Sequence, residues 1–168
     1  PRSRGLGDVY KRQFLKLKEK HLDWDLVILG NGEERDNLNH MTRNFGITDR
    51  VHFPGSVGNI SEWYERADLF VLSSIVEGFP NVLLEALTYG LPCISFDCNT
   101  GPRDIIQDGF NGILVDPNEK ELGLSNAIDK IIVDQELRLN LAKNSILLRK
   151  KYSISNIIQK WNNKYKLL

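Results

Sequence analysis

The sequence predicts an α/β domain built on a doubly wound parallel sheet, Rossmann-like and ending in helices. Three observations carry this expectation. Apolar runs of strand length recur between segments of helical periodicity, each run opens into a loop of small or polar residues, and the last third reads as helix throughout. Strands that alternate with helices favour a parallel sheet covered on both faces, because each crossover helix packs back over the sheet.

The first segment, Pro1 to Gln13, has neither period and reads as a leader foreign to the domain, which then runs from residue 14 to 168. Phe14, Leu15, Leu17 and Leu22 among lysines mark the end of an amphipathic helix, and Leu26 to Leu29 is a buried strand. Gly30-Asn31-Gly32 turns into a helix from about Glu33 to Phe45. Val51 to Phe53 is a short strand, Ile60 to Ala67 a short helix and Leu69 to Leu72 the next strand. A helix beginning at Pro80, a strand from Pro92 to Phe96, a helix opening at Pro102 and a strand from Gly112 to Val115 follow. Three helices close the chain, from Glu119 to Val133, Gln135 to about Lys150 and Ser153 to about Tyr165.

The most informative segment is Glu77-Gly78-Phe79-Pro80-Asn81-Val82-Leu83-Leu84-Glu85, which sets two carboxylates eight apart across a turn and the start of a helix. Pro80 suits the first helical position, where its missing N–H is no loss. The run from Val82 to Leu87 is apolar nearly all round, so the helix is expected to be buried with Glu85 as its one charge. A buried carboxylate needs a partner, either a core-facing Arg or a diol donating two hydrogen bonds. Ligands collect outside the carboxyl ends of strands in open α/β sheets, and helix N-termini there attract phosphate. Gly30 and Gly32 follow one strand and Gly55-Ser56-Val57 another, where a ligand approach and a plain turn both fit. Thr100-Gly101-Pro102-Arg103-Asp104 repeats the loop, glycine and proline logic as a second anion site, with Arg103 free to offset diphosphate charge or to pair with Asp97 or Asp104.

Glu77 to Glu85 resembles the E-x7-E motif of family-4 (group 1) retaining glycosyltransferases, and the likeness continues through Gly90 to Asp97, Thr100 to Ile106 and Asn111 to Val115. The resemblance implies the C-terminal, nucleotide-sugar-binding half of a GT-B enzyme, with the acceptor held by an N-terminal domain absent from this chain. It gives Glu77 the catalytic position, holding sugar hydroxyls, with the N–H groups of Gly78 and Phe79 on sugar or phosphate. Glu85 takes the ribose diol, Gly55 and Val57 meet the base, Gly30 and Gly32 approach the donor, and Pro80, Asn81, Val82, Thr100 and Gly101 complete the substrate-binding set. The implied substrate is a nucleotide sugar, a UDP-sugar being favoured, used without a cofactor or metal in bacterial surface polysaccharide or glycoconjugate synthesis. The family has a strand-end Arg and a Lys-Gly pair before this point; Lys11 and Arg12 lack the flanking strand and glycine and receive no role. A nucleotide-sugar epimerase of the same architecture, or a non-catalytic nucleotide-binding module as the isolated chain, are the alternatives.

Composition sets the outer limits. At 168 residues, 41% apolar and 26% charged, the chain is one ordinary globular domain. Lys+Arg and Asp+Glu are both 22, so no basic excess points to nucleic acid. Basic residues do gather late, from Arg138 to Lys166, as a solvated helical face or, alternatively, a surface for peripheral association with anionic membrane. Asp23-Trp24-Asp25 reads as a D-x-D metal signature, but it precedes its strand and so falls at the amino edge, opposite the proposed site. Cys93 and Cys98 read as buried thiols, and His21, His40 and His52 as surface or helix-end residues. With no membrane-spanning run and no signal pattern, a cytoplasmic domain, or one at the inner membrane face, is expected.

Overall fold

Five strands and eight α-helices alternate along residues 20–165, the part of the chain that the computed structural model describes. The expected leader at 1–13, and most of the helix expected to end near Leu22, lie outside the described residues.

Strand β1 (Leu26–Leu29) pairs in parallel with β2 (Val51–Gly55), Leu26 beside Val51 and Leu29 beside Gly55. Strands β3 (Phe70–Leu72), β4 (Cys93–Phe96) and β5 (Gly112–Val115) form a second parallel ladder, with Phe70 beside Cys93 and Cys93 beside Gly112. The expected parallel α/β architecture is present, its hydrogen-bonded ladders falling into two parallel groups, of two and three strands, among the described residues. Strand β3 has only three residues, which leaves little extended backbone to carry a ladder on a second edge.

The three-stranded group is covered on both faces, as expected of a parallel sheet. Its strands alternate with period two. Leu72 and Cys93 join one core with Tyr64 of α2 (Ile60–Arg66), Leu83, Ala86 and Leu87 of α3 (Asn81–Thr88), and Ile105 of α4 (Pro102–Ile105). Ile94, Phe96 and Val115 face the other way, onto Leu124, Ala127 and Ile131 of α5 (Lys120–Val133) and Leu141 of α6 (Gln135–Ser145). Helix α1 (Arg35–Asn44) lays Leu38 and Thr42 against the two-stranded group.

One helical expectation changes. The helix expected from Gln135 to Lys150 stops at Ser145 and resumes as α7 (Leu148–Lys151). Buried Ser145 donates its hydroxyl toward Leu141 O and Asn111 O, each at 2.8 Å, and Asn144 holds Phe110 O; such back-bonding bends a helix. Helix α8 (Ile154–Tyr165) exposes an apolar stripe, from Ile154 through Ile157, Ile158 and Trp161 to Tyr165.

Candidate functional site

The strands run parallel within each group, and the sequence-predicted donor residues lie on the loops that leave the carboxyl ends of β1 to β4, at the last residue of β2 (Gly55) and in α3 (Asn81, Val82 and Glu85). The structure joins them in two pairs. Gly30 donates its N–H to Gly55 O at 2.8 Å, Asn31 reaches Ser56 Oγ at 3.0 Å, and Arg35 bridges Asn31 Oδ1 and Phe53 O at 2.7 and 2.6 Å. Gly55 sits at φ +84°, a backbone conformation that favours glycine, while a Cβ there would meet only side-chain ends, that of Arg35 nearest at 2.9 Å. Gly32 is exposed and Val57 half-buried at the margins of this pair.

The second pair is the loop after β3, carrying Glu77 to Pro80, and the loop after β4. Thr100 donates its hydroxyl to Glu77 O at 2.7 Å, and Cys98 Sγ lies 3.2 Å from Ile75 O and 3.3 Å from Ser74 O. Gly101 adopts φ +86°, and a Cβ added there would collide with the carbonyl of Gly78 and the ring of Pro80. Burial pushes the Cys98 thiol up, and the charges of Glu77 and Asp97 add to that effect.

Pro80 does not occupy the first helical turn. It is the residue before α3, extended at ψ 94°, and its carbonyl receives the N–H groups of Leu83 and Leu84. Nor is α3 buried all round. Leu83, Ala86 and Leu87 fall at i, i+3 and i+4 and are fully buried, whereas Asn81, Val82 and Glu85 share the exposed side. Glu85 therefore needs no compensating Arg. Its Oε2 accepts from the Tyr64 hydroxyl at 3.2 Å. Burial, with the Glu85 charge next, pushes the Tyr64 phenol well up. Sequence reasoning passed over Tyr64; the signal was an aromatic on the short helix leading into β3, held here against Phe70 and Tyr89. Tyr64 also links α2, which follows the Gly55 loop, to α3, which follows the Glu77 loop. Half-buried Glu77 and exposed Gly78 and Phe79 stand at the mouth of this junction.

The second anion site is corrected. Asp104 accepts the Gly101 N–H at 3.1 Å, so the protein's own carboxylate fills the start of α4, which is only four residues long. Arg103 takes the pairing alternative, its Nε 2.9 Å from Asp97 Oδ1, and that bond holds the guanidinium above its usual range. An open depression beside it uses three of its carboxylates internally: Asp97 on Arg103, Asp108 on Leu114 N–H and Asp116 on Asn118 N–H. At the other edge Asp25 engages His52 at 2.8 Å. His40 and His52 are exposed, but His21 is not a surface residue: its side chain is 8% exposed and meets Asp129 at 2.6 Å.

These features define a class, an α/β domain that gathers loops at the carboxyl ends of parallel strands, where open α/β sheets bind ligands. Comparison with known proteins then places it. The profile described as "Glycosyl transferases group 1" matches residues 8–147, and the chain belongs to that family. It is 34% identical over 145 residues to an uncharacterized glycosyltransferase of Haemophilus influenzae, covering 86% of this chain and 41% of that protein. It is also 34% identical over 140 residues to the amylovoran biosynthesis glycosyltransferase AmsD of Erwinia amylovora, covering 83% and 39%. Among solved structures it resembles the C-terminal domain of the group 1 protein LpcC from Francisella tularensis, with TM-score 0.78, 26% identity and coverage of 89% and 80%. Anabaena HepE in complex with UDP shares the fold, with TM-score 0.83, 21% identity and coverage of 96% and 45%. The chain spans about two fifths of the length of the two curated relatives named. No described helix is long and apolar enough to cross a membrane.

Proposed function

We propose that the chain is the donor-binding half of a retaining glycosyltransferase that takes a nucleotide sugar, a UDP-sugar foremost, and transfers its glycosyl group in bacterial surface polysaccharide or glycoconjugate synthesis. The observation that carries this reading is the entry to α3. No acceptor among the described residues reaches the N–H groups of Gly78, Phe79, Asn81 or Val82, and this unfilled turn stands between the carboxylates of Glu77 and Glu85. Free amides at a helix start attract a diphosphate, and the helix dipole adds to the attraction.

In this reading Glu85, exposed and held by Tyr64, accepts the ribose hydroxyls. The Gly55–Val57 backbone meets the base, Gly30 and Gly32 border the donor, and Glu77 holds sugar hydroxyls while the amides beside it draw charge into the leaving diphosphate. Pro80 and Gly101 shape the turn. The donor is a substrate and no cofactor is invoked. The acceptor belongs to a second domain in the remaining three fifths of the relatives' length, so the chain alone transfers no sugar. Work at the cytoplasmic side, with peripheral contact to the membrane through the late basic residues, suits glycoconjugate assembly.

The test is UDP binding by calorimetry to the 168-residue chain and to Glu85→Gln. A charge-assisted hydrogen bond is worth about 1.5–3 kcal/mol, so affinity falls about tenfold or more with an unchanged melting temperature. Equal affinities in the two proteins would remove Glu85 from the ribose and overturn the assignment.

A further inference from the structure

Among the described residues, the segment from Ser74 to Phe79 makes no backbone–backbone hydrogen bond. Every hydrogen bond it makes within the described residues comes from the loop after β4: Cys98 onto Ser74 O and Ile75 O, and Thr100 onto Glu77 O. Gly101 then closes against Gly78 and Pro80, so backbone positions on both sides of Glu77 are gripped by residues 98, 100 and 101. The grip is selective in space. Cys98 is 4% exposed, while the segment it holds is open to solvent, Ile75 at 57% and Val76 at 89%. A thiol with no role in a ladder or a disulfide is thereby committed to two carbonyls of an otherwise unsupported loop.

We propose that Cys98 and Thr100 are positioning residues, a latch that holds the carboxylate of Glu77 at the sugar; this rests on the donor-site reading above. Thr100 then works through Glu77 instead of touching the donor itself. The loop supplies no hydrogen bonds of its own, so removing the latch frees Glu77 while Glu85, anchored on α3 and Tyr64, stays in place. Sugar recognition and nucleotide recognition come apart.

The experiment compares the 168-residue chain with Thr100→Val, which removes the hydroxyl at nearly constant shape, and Thr100→Ser, which keeps it. Iodoacetamide labelling resolved by mass spectrometry reads Cys98, and fully buried Cys93 reports global opening in the same sample. Calorimetry reads UDP and the tightest of UDP-glucose, UDP-galactose and their N-acetylhexosamine counterparts. Loss of one hydrogen bond corresponds to about a fivefold effect. In Thr100→Val, Cys98 labelling is expected to rise about fivefold or more at constant Cys93 labelling. The gain in affinity of the UDP-sugar over UDP falls by a similar factor, UDP itself stays within about twofold, and Thr100→Ser restores both readings. Cys98 labelling that does not change, or that rises only together with Cys93, would overturn the latch. Cys98 rising alone with the sugar gain intact would overturn the positioning role. Wild-type chain that binds no UDP, or no UDP-sugar more tightly than UDP, would overturn the donor-site reading and the sugar role with it, and the labelling rates decide the latch in either case.

Discussion

Replacing Gly101 by alanine perturbs the point where the two proposed donor loops touch. Gly101 has φ +86° and ψ −83°, close to the γ-turn geometry that side-chain-bearing residues avoid. Such backbone strain costs about 1–3 kcal/mol. The added Cβ would also lie 2.7 Å from Pro80 Cδ and nearer still to Gly78 O, and the latter is backbone that yields only if the Glu77 loop moves. Gly109 provides the control, since it too has positive φ, +71°, but nothing stands within 4 Å of its Cβ direction. Strain alone acts there, at about 1 kcal/mol. We expect Gly101→Ala to lose about 3 kcal/mol and, at about 2–4 °C per kcal/mol for a chain of this size, to melt about 6–12 °C lower. Gly109→Ala falls only about 2–4 °C. Calorimetric melting of both variants decides the matter. Equal shifts in the two, or a shift in Gly101→Ala within about 2 °C of zero, would refute the close packing of the loops.

Two further outcomes follow. Lys20 and His21 both bond Asp129, each at 2.6 Å, and these bonds hold its carboxyl below the usual range. A depressed folded-state pKa contributes stability that is complete above the unfolded value, about 3.9, and is lost as pH falls through the folded one. Asp129→Asn therefore lowers the melting temperature at pH 7 and flattens its fall below about pH 5, whereas melting curves of unchanged acid slope would show the clasp contributes nothing. The exposed stripe of α8 predicts concentration-dependent self-association in sedimentation, weakened by Trp161→Ser; a strictly monomeric sample, with Asn156 to Tyr165 as protected from hydrogen exchange as β4, contradicts it.

The fold class was legible because strand-length apolar runs and helical periods differ in kind, and β4 and β5 show it most clearly, alternating residues between two cores. The break between the two strand groups was not, because a three-residue strand leaves too little periodicity to reveal which edges pair. Spacing and resemblance singled out Glu77 and Glu85 as candidates, but the burial of Glu85 was misjudged. An apolar run says nothing of which side chain faces out until helical phase is set by its neighbours, and here Leu83, Ala86 and Leu87 take the core face. Tyr64 and Cys98 were harder still, since their partners lie 21 and 23 to 24 residues away and only tertiary packing brings them together. Asp104 shows the converse, a local cap three residues from Gly101 that short-range reasoning about helix starts could have found.

The most direct test of the central claim is titration of the isotopically labelled 168-residue chain with UDP, followed by amide chemical shifts. The account predicts the largest saturable shifts at Gly55 to Val57 and Gly78 to Glu85, with Gly30 and Gly32 beside them, and little change at Asp25, His52 or the Asp108 to Glu119 depression. Saturable shifts confined to that depression or to the amino edge, or no shift at millimolar UDP, would contradict the assignment of the carboxyl-edge loops as a donor site.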